Sequence, residues 1–223
     1  MGEMIKFKRP DGKECVGYYA RPAAGDKAPG VVVIQEWWGL NDQIKGVADR
    51  LAAAGYRALV PDLYRGKVTL DAAEASHMMT NLDFKDAATQ DVRGAAQYLK
   101  KDSAKVATMG FCMGGALTML AAMYVPETDA VSSWYGVPPP EAGDPSKIRI
   151  PVQCHGALKD EYFTPASVDA FEAKLKQGNV PHEFHRYDAN HAFGNETGAN
   201  HHPASAKLAW ERTLAFLKKH MPA

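Results

Sequence analysis

Residues 110–115 read GFCMGG, a cysteine flanked by glycines at the end of a β-rich run. Further along, Asp160 ends the stretch GALKD and His191 sits within DANHAF. Thiol, carboxylate and imidazole form a working set for nucleophilic catalysis. The imidazole takes the thiol proton, and the carboxylate fixes the tautomer and orientation of the imidazole. Glycines at Gly110 and Gly114 suit a strained corner, where side chains two before and two after the nucleophile would clash. An Ala- and Leu-rich helical pattern opens directly after Cys112. Its unpaired N–H groups would face the thiol, and the expectation is a lowered thiol pKa. Read alone, the same glycines require only tight strand–helix packing around a small buried cysteine.

The elements needed to position these groups are legible. Strand-like runs open the chain at Met4 to Lys8 and Glu14 to Ala20, and Asp11-Gly12 between them marks a hairpin. Gly30 to Gln35 (GVVVIQ) is a β-branched run of the kind buried on both sheet faces. Asn41 can cap a helix through Ala54, with Gly55 past its end, and Tyr56 to Val60 is the next strand. Helical patterns cover 71–80 and 84–101, the strand Lys105 to Met109 follows, and a helix spans 113–124. Ala130 to Tyr135 and Ile150 to His155 are further strands. Thr164 to Gln177 is a helix with Pro165 in its first turn, His182 to Tyr187 the last strand, and Ala204 to Lys219 the last helix. Strands alternating with helices imply βαβ units: an α/β fold with a mostly parallel sheet, an antiparallel hairpin at one edge and helices on both faces. No linker or repeat divides residues 1–223, so one domain is expected.

In such sheets, functional groups gather beyond the carboxyl ends of the strands. Glu36, Trp37 and Trp38 follow the third strand, Asp62-Leu63-Tyr64 the fourth, and Cys112 the fifth. Asp160 and His191 follow the last two. Nucleophile, acid, histidine is the chain order of the α/β-hydrolases, whose corner reads G-x-S-x-G, here with cysteine in place of serine. Asp160 stays available because Thr164, just before Pro165, is the better cap for the following helix. His155 and Cys154 read as core. His201 and His202 read as solvated residues at the start of the last helix, since nothing completes a metal site with His191.

VVVIQEWWGLN, AAGYRALVPDLY, VATMGFCMGGALT, SSWYG and HAF together resemble the dienelactone hydrolase family, over nearly the whole chain. The resemblance implies an α/β-hydrolase with a Cys112–Asp160–His191 triad that opens an ester or lactone through a thioester acyl-enzyme. It implies no cofactor and no metal. It also implies oxyanion donors at the backbone N–H groups of Met113 and Trp37, and a nucleophile-adjacent acid at Glu36. The sequence departs from the family in the arginines that hold a substrate carboxylate. The position four after the histidine is Asn195, and no arginine occurs between Gly66 and Gln90. Arg65 and His77 are the nearby stand-ins. With Asn195, the aromatics Trp38, Tyr64, Phe111, Trp134, Tyr135 and Phe193 are the expected pocket residues, beside Trp37. They point to a neutral ester, lactone or cyclic enol ester.

Lys plus Arg and Asp plus Glu number 26 each, so no basic field favours nucleic acid. The start MGEMIKFKRP has no apolar h-region, and no apolar run approaches the ~18 residues of a membrane span. Three cysteines without CxxC spacing suggest a reducing cytoplasm rather than a disulfide framework. The expected partner is a small ester or lactone, bound by a monomer. Two other classes remain in view: a retired hydrolase that only binds a ligand, and a thiol-transfer protein, for which Cys112 lacks a resolving cysteine at its corner.

Overall fold

The computed structural model describes every residue except 24, 26 and 223. Eight strands form one sheet: β1 (Glu3–Lys8), β2 (Glu14–Ala20), β3 (Gly30–Ile34), β4 (Arg57–Pro61), β5 (Val106–Phe111), β6 (Ala130–Trp134), β7 (Val152–Ala157) and β8 (His182–Tyr187). Their order across the sheet is β1-β2-β4-β3-β5-β6-β7-β8. Pairs from β4 to β8 are parallel, and β1–β2 and β2–β4 are antiparallel, so the hairpin forms one edge as expected. The helices are α1 (Asp42–Ala53), α2 (Ala72–Thr80), α3 (Phe84–Asp86), α4 (Arg93–Lys100), α5 (Met113–Tyr124), α6 (Pro165–Gln177) and α7 (Pro203–His220). They cover the sheet on both faces. No helix among the described residues is long and apolar enough to cross a membrane.

Each element follows from local chemistry. All five residues of β3 are buried, which its unbroken β-branched run demands. The Asn41 side chain accepts from the Ile44 N–H at 3.1 Å and starts α1, and Gly55 leaves it with φ 97°. Thr164 caps α6 by accepting from the Ser167 N–H. The segment expected as one helix over 84–101 is continuous but contains a π-helical stretch, Ala87–Val92. That stretch carries the buried Asp91, which accepts from Arg9 at 3.1 Å and from Arg65 at 2.9 Å. Arg9 also reaches Asp86 at 2.8 Å, so the edge hairpin is tied to the helical layer through charge-assisted bonds.

β5 runs two residues further than its apolar pattern suggested, ending at Phe111, so that Cys112 stands directly between strand and helix. Here the two glycines are required by close approach. A Cβ on Gly110 would collide with the Gly114 carbonyl oxygen, and one on Gly114 with the Ile34 and Gln35 carbonyl oxygens. The register sets Gly110 beside Ile34 of β3 and Ser133 of β6, which brings the carboxyl ends of these strands together.

Candidate active site

Cys112 has φ 57° and ψ −122°, a conformation uncommon for a residue with a side chain. Tyr135 (φ 41°), after β6, and Ala192 (φ 61°), next to His191, are also left-handed. These left-handed residues lie beyond the carboxyl ends of the strands, where strained backbone commonly accompanies function.

Asp160 and His191 meet. Asp160 Oδ2 lies 2.7 Å from His191 Nδ1, while Oδ1 accepts from the N–H groups of Tyr162 and Phe163 at 2.9 Å each. The carboxylate is thus pinned from both sides, with its side chain fully buried and the imidazole 13% exposed. This arrangement leaves Nε2 as the free nitrogen of His191, facing away from the acid. The imidazole is packed by Tyr135, Tyr162 and Phe163, with ring centroids at 5.3, 5.1 and 5.7 Å. Sequence reasoning missed Tyr162 and Phe163. Their signal was proximity, since they follow Asp160 within three residues of a turn that its own carboxylate closes.

Cys112 lies at the opening of α5, with the backbone N–H groups of Met113 and Trp37 near enough to its sulfur to favour the thiolate. These are the two groups expected as oxyanion donors. The thiol itself corrects an expectation. Burial pushes its pKa well above the ordinary thiol value, and the charge of nearby Glu36 adds to the effect. The Met113 and Trp37 N–H groups pull it down, but less than burial raises it. The helix terminus therefore does not generate a resting thiolate. Among the described residues, no hydrogen bond joins Cys112 to His191.

Glu36 is buried beside the thiol. It accepts from Tyr135 Oη at 3.1 Å and from Asn195 Nδ2 at 2.8 Å. Burial raises its pKa, against the lowering effects of Asn195, His191 and Tyr135. Asn195 is therefore a partner of Glu36 rather than an open pocket wall, and Thr197 fixes its amide through two bonds to Oδ1. Tyr64 Oη lies 3.3 Å from Met113 Sδ, near the corner. Trp37 and Trp38 stay half-buried, edge to face at 5.2 Å.

The other expected pocket aromatics sit deeper. Phe111, Trp134 and Phe193 are at most 3% exposed and pack on one another. They form a floor under the histidine loop, because Phe193 stacks on Trp134 at 6.0 Å and lies 4.9 Å from Tyr187. Tyr135 is as buried as they are, yet touches both Glu36 and His191. His155 is core, as read: it is fully buried and bonded to Tyr187, Gln153 and Thr213. His202 caps α7 by accepting from the Ser205 N–H. Of the two stand-ins for a missing arginine, Arg65 is engaged by Asp91, and His77 is bonded to Asn81 on exposed α2. Among the described residues, no group of three or more His, Cys, Asp or Glu side chains is placed to hold a metal.

Residues 15–221 match the model of the dienelactone hydrolase family. "Protein usf" of Aquifex pyrophilus is 34% identical over 99% of this chain and 100% of its own length. A Salmonella typhi protein named "Putative carboxymethylenebutenolidase" is 31% identical, over 94% of this chain and 84% of its own. Among solved structures, the dienelactone hydrolase-like promiscuous phosphotriesterase P91 from metagenomic libraries superposes with a TM-score of 0.82. It is 25% identical, and 98% of each chain is covered. The chain belongs to the dienelactone hydrolase family of carboxylic ester hydrolases, with the α/β-hydrolase fold.

Proposed function

We propose that this protein hydrolyses a small lactone, enol ester or neutral ester through a thioester on Cys112, with His191 as base and then acid and Asp160 as its orienting carboxylate. The observation that carries this reading is the convergence at one sheet end of the 2.7 Å Asp160–His191 bond and a left-handed cysteine at the strand-to-helix corner, with the Met113 and Trp37 N–H groups near its sulfur.

The steps follow from the geometry. At rest the protonated thiol faces the N–H groups of Met113 and Trp37. A substrate carbonyl oxygen entering that pair takes both donors, and the sulfur turns toward Nε2. His191 accepts the thiol proton as sulfur attacks the carbonyl carbon, and the oxyanion is held by the two N–H groups. Collapse breaks the C–O bond, and His191 returns the proton to the leaving oxygen. Water, deprotonated by the same imidazole, then attacks the thioester and frees the acid and the thiol. Asp160 stabilises the imidazolium in both halves. Neutral substrates are favoured because, among the described residues, the two candidates for holding a substrate carboxylate are engaged elsewhere: Asn195 bonds Glu36, and Arg65 is held by Asp91.

Turnover of p-nitrophenyl acetate by wild type, Cys112→Ala and Cys112→Ser tests the mechanism. Wild-type turnover lost in Cys112→Ala is the expected result. An inactive wild type would favour a retired, ligand-binding hydrolase, and activity surviving in Cys112→Ala would remove the cysteine from the chemistry. A strong preference for dienelactone over neutral aryl esters would overturn the substrate assignment.

A further inference from the structure

A void of about 650 Å³ lies between the segment following β6 and the start of α6. Val137 and Pro139 wall it on one side, and Tyr162, Phe163 and Phe171 on the other. Both walls begin at groups that touch the imidazole. Tyr135, two residues before Val137, packs on His191 at 5.3 Å. Tyr162 and Phe163 pack on it from the loop that also carries Asp160. The lining is mainly rings and proline, and its two charged residues, Asp144 and Lys174, have opposite signs and select no ionic ligand. The other aromatics near the thiol, Trp37 and Tyr64, stand on loops after β3 and β4. Those strands lie on the opposite side of β5 from β6 and β7.

Direction matters in acyl transfer. The imidazole hands its proton to the leaving oxygen, so the leaving group lies on the imidazole side of the reacting carbonyl and the acyl part on the other. We propose that this cavity is the leaving-group subsite, which makes the preferred substrates esters of neutral, apolar alcohols or phenols several carbons long. The inference rests on the Cys112–His191 reading above. When the C–O bond breaks, the acyl carbon stays on Cys112 as the thioester, and the apolar alcohol leaves from the cavity with the proton that His191 held.

The test is kcat/KM, which reports the acylation half, for acetate esters from methyl to octyl alcohol, followed by acid release. Burying each added methylene removes apolar surface from water, so the value should climb at least tenfold from methyl to hexyl acetate. Ala170→Trp and Ser167→Trp, at exposed α6 positions lining the cavity, should each cut the octyl-to-methyl ratio at least tenfold. A flat wild-type series overturns the inference without any variant being needed. So does a length dependence found instead in p-nitrophenyl esters from acetate to octanoate, which would place the acyl chain in the cavity. Failure of the mechanism itself is separable: turnover persisting in Cys112→Ala removes the nucleophile, whereas Cys112-dependent turnover blind to alcohol length removes only the subsite.

Discussion

Burial and the neighbouring Glu36 push the Cys112 thiol well above its ordinary pKa, which favours the neutral thiol at rest. Iodoacetamide should therefore alkylate the resting enzyme at pH 7 at least tenfold more slowly than free cysteine. The rate can be read by mass spectrometry of the peptide carrying Cys112, and labelling as fast as that of an exposed cysteine would contradict a protonated, buried thiol. Asp160→Asn keeps the shape of the acid but lets the imidazole adopt the wrong tautomer, so kcat should fall by about 10² to 10⁴ with little change in KM. That Asp160 and His191 gather at one sheet end with Cys112 was readable from residue types beyond successive strands. The protonation of the thiol was not, because the helix terminus is visible in sequence while the depth of burial and the neighbouring carboxyl at Glu36 are products of the packed fold. The pairing of Asn195 with Glu36, 159 positions apart, was invisible for the same reason.

At the scale of elements, the corner depends on backbone meeting backbone. In Gly114→Ala the new methyl would collide with the Ile34 and Gln35 carbonyl oxygens, which no rotamer can move aside. A cost of about 1 to 3 kcal/mol in urea unfolding is expected, with turnover falling more than stability does, because the Met113 N–H shifts too. An unchanged unfolding midpoint would show that β3 and α5 are not in close contact there. Most strands were legible because β-branched runs and turn residues bound them, and errors stayed at the ends. β7 begins at Val152, after Pro151, and runs on to Ala157, since His155 and Gly156 keep pairing with β8. The π-helical stretch at 87–92 had no sequence signal. It is where Asp91 meets Arg9 and Arg65, arginines distant in the chain. Pocket aromatics were the least legible, because a ring at a strand end is equally suited to floor or wall, and only packing separates Phe193 from Trp38.

The whole molecule should be most stable between about pH 6.5 and 8.5. Burial drives the His155 pKa well below its ordinary value, and lowers that of His185 as well. The unfolded chain thus binds more protons than the native one below about pH 6.5, and stability falls as pH drops through that value. Glu36 and Asp91, raised by burial, act in the opposite sense, so Glu36→Gln should steepen the acid limb. Burial pushes the thiols of Cys15 and Cys154 up to about 12. Their contribution is complete below the ordinary thiol value of about 8.5 and is lost as pH climbs from there toward 12. Thermal melts across pH 5 to 10 check both limbs, and a flat alkaline limb would contradict the buried thiols. His191 follows β8, an edge strand that among the described residues pairs with β7 alone, whereas Cys112 follows the central β5. Edge strands open locally at lower free energy than central ones. Warming should therefore loosen the strand that leads to His191 while the strand that leads to Cys112 stays closed. Activity should fade before the cooperative melt, with amide exchange at 182–187 outrunning that at 106–111. The margin between working and merely folded is set at the rim of the sheet.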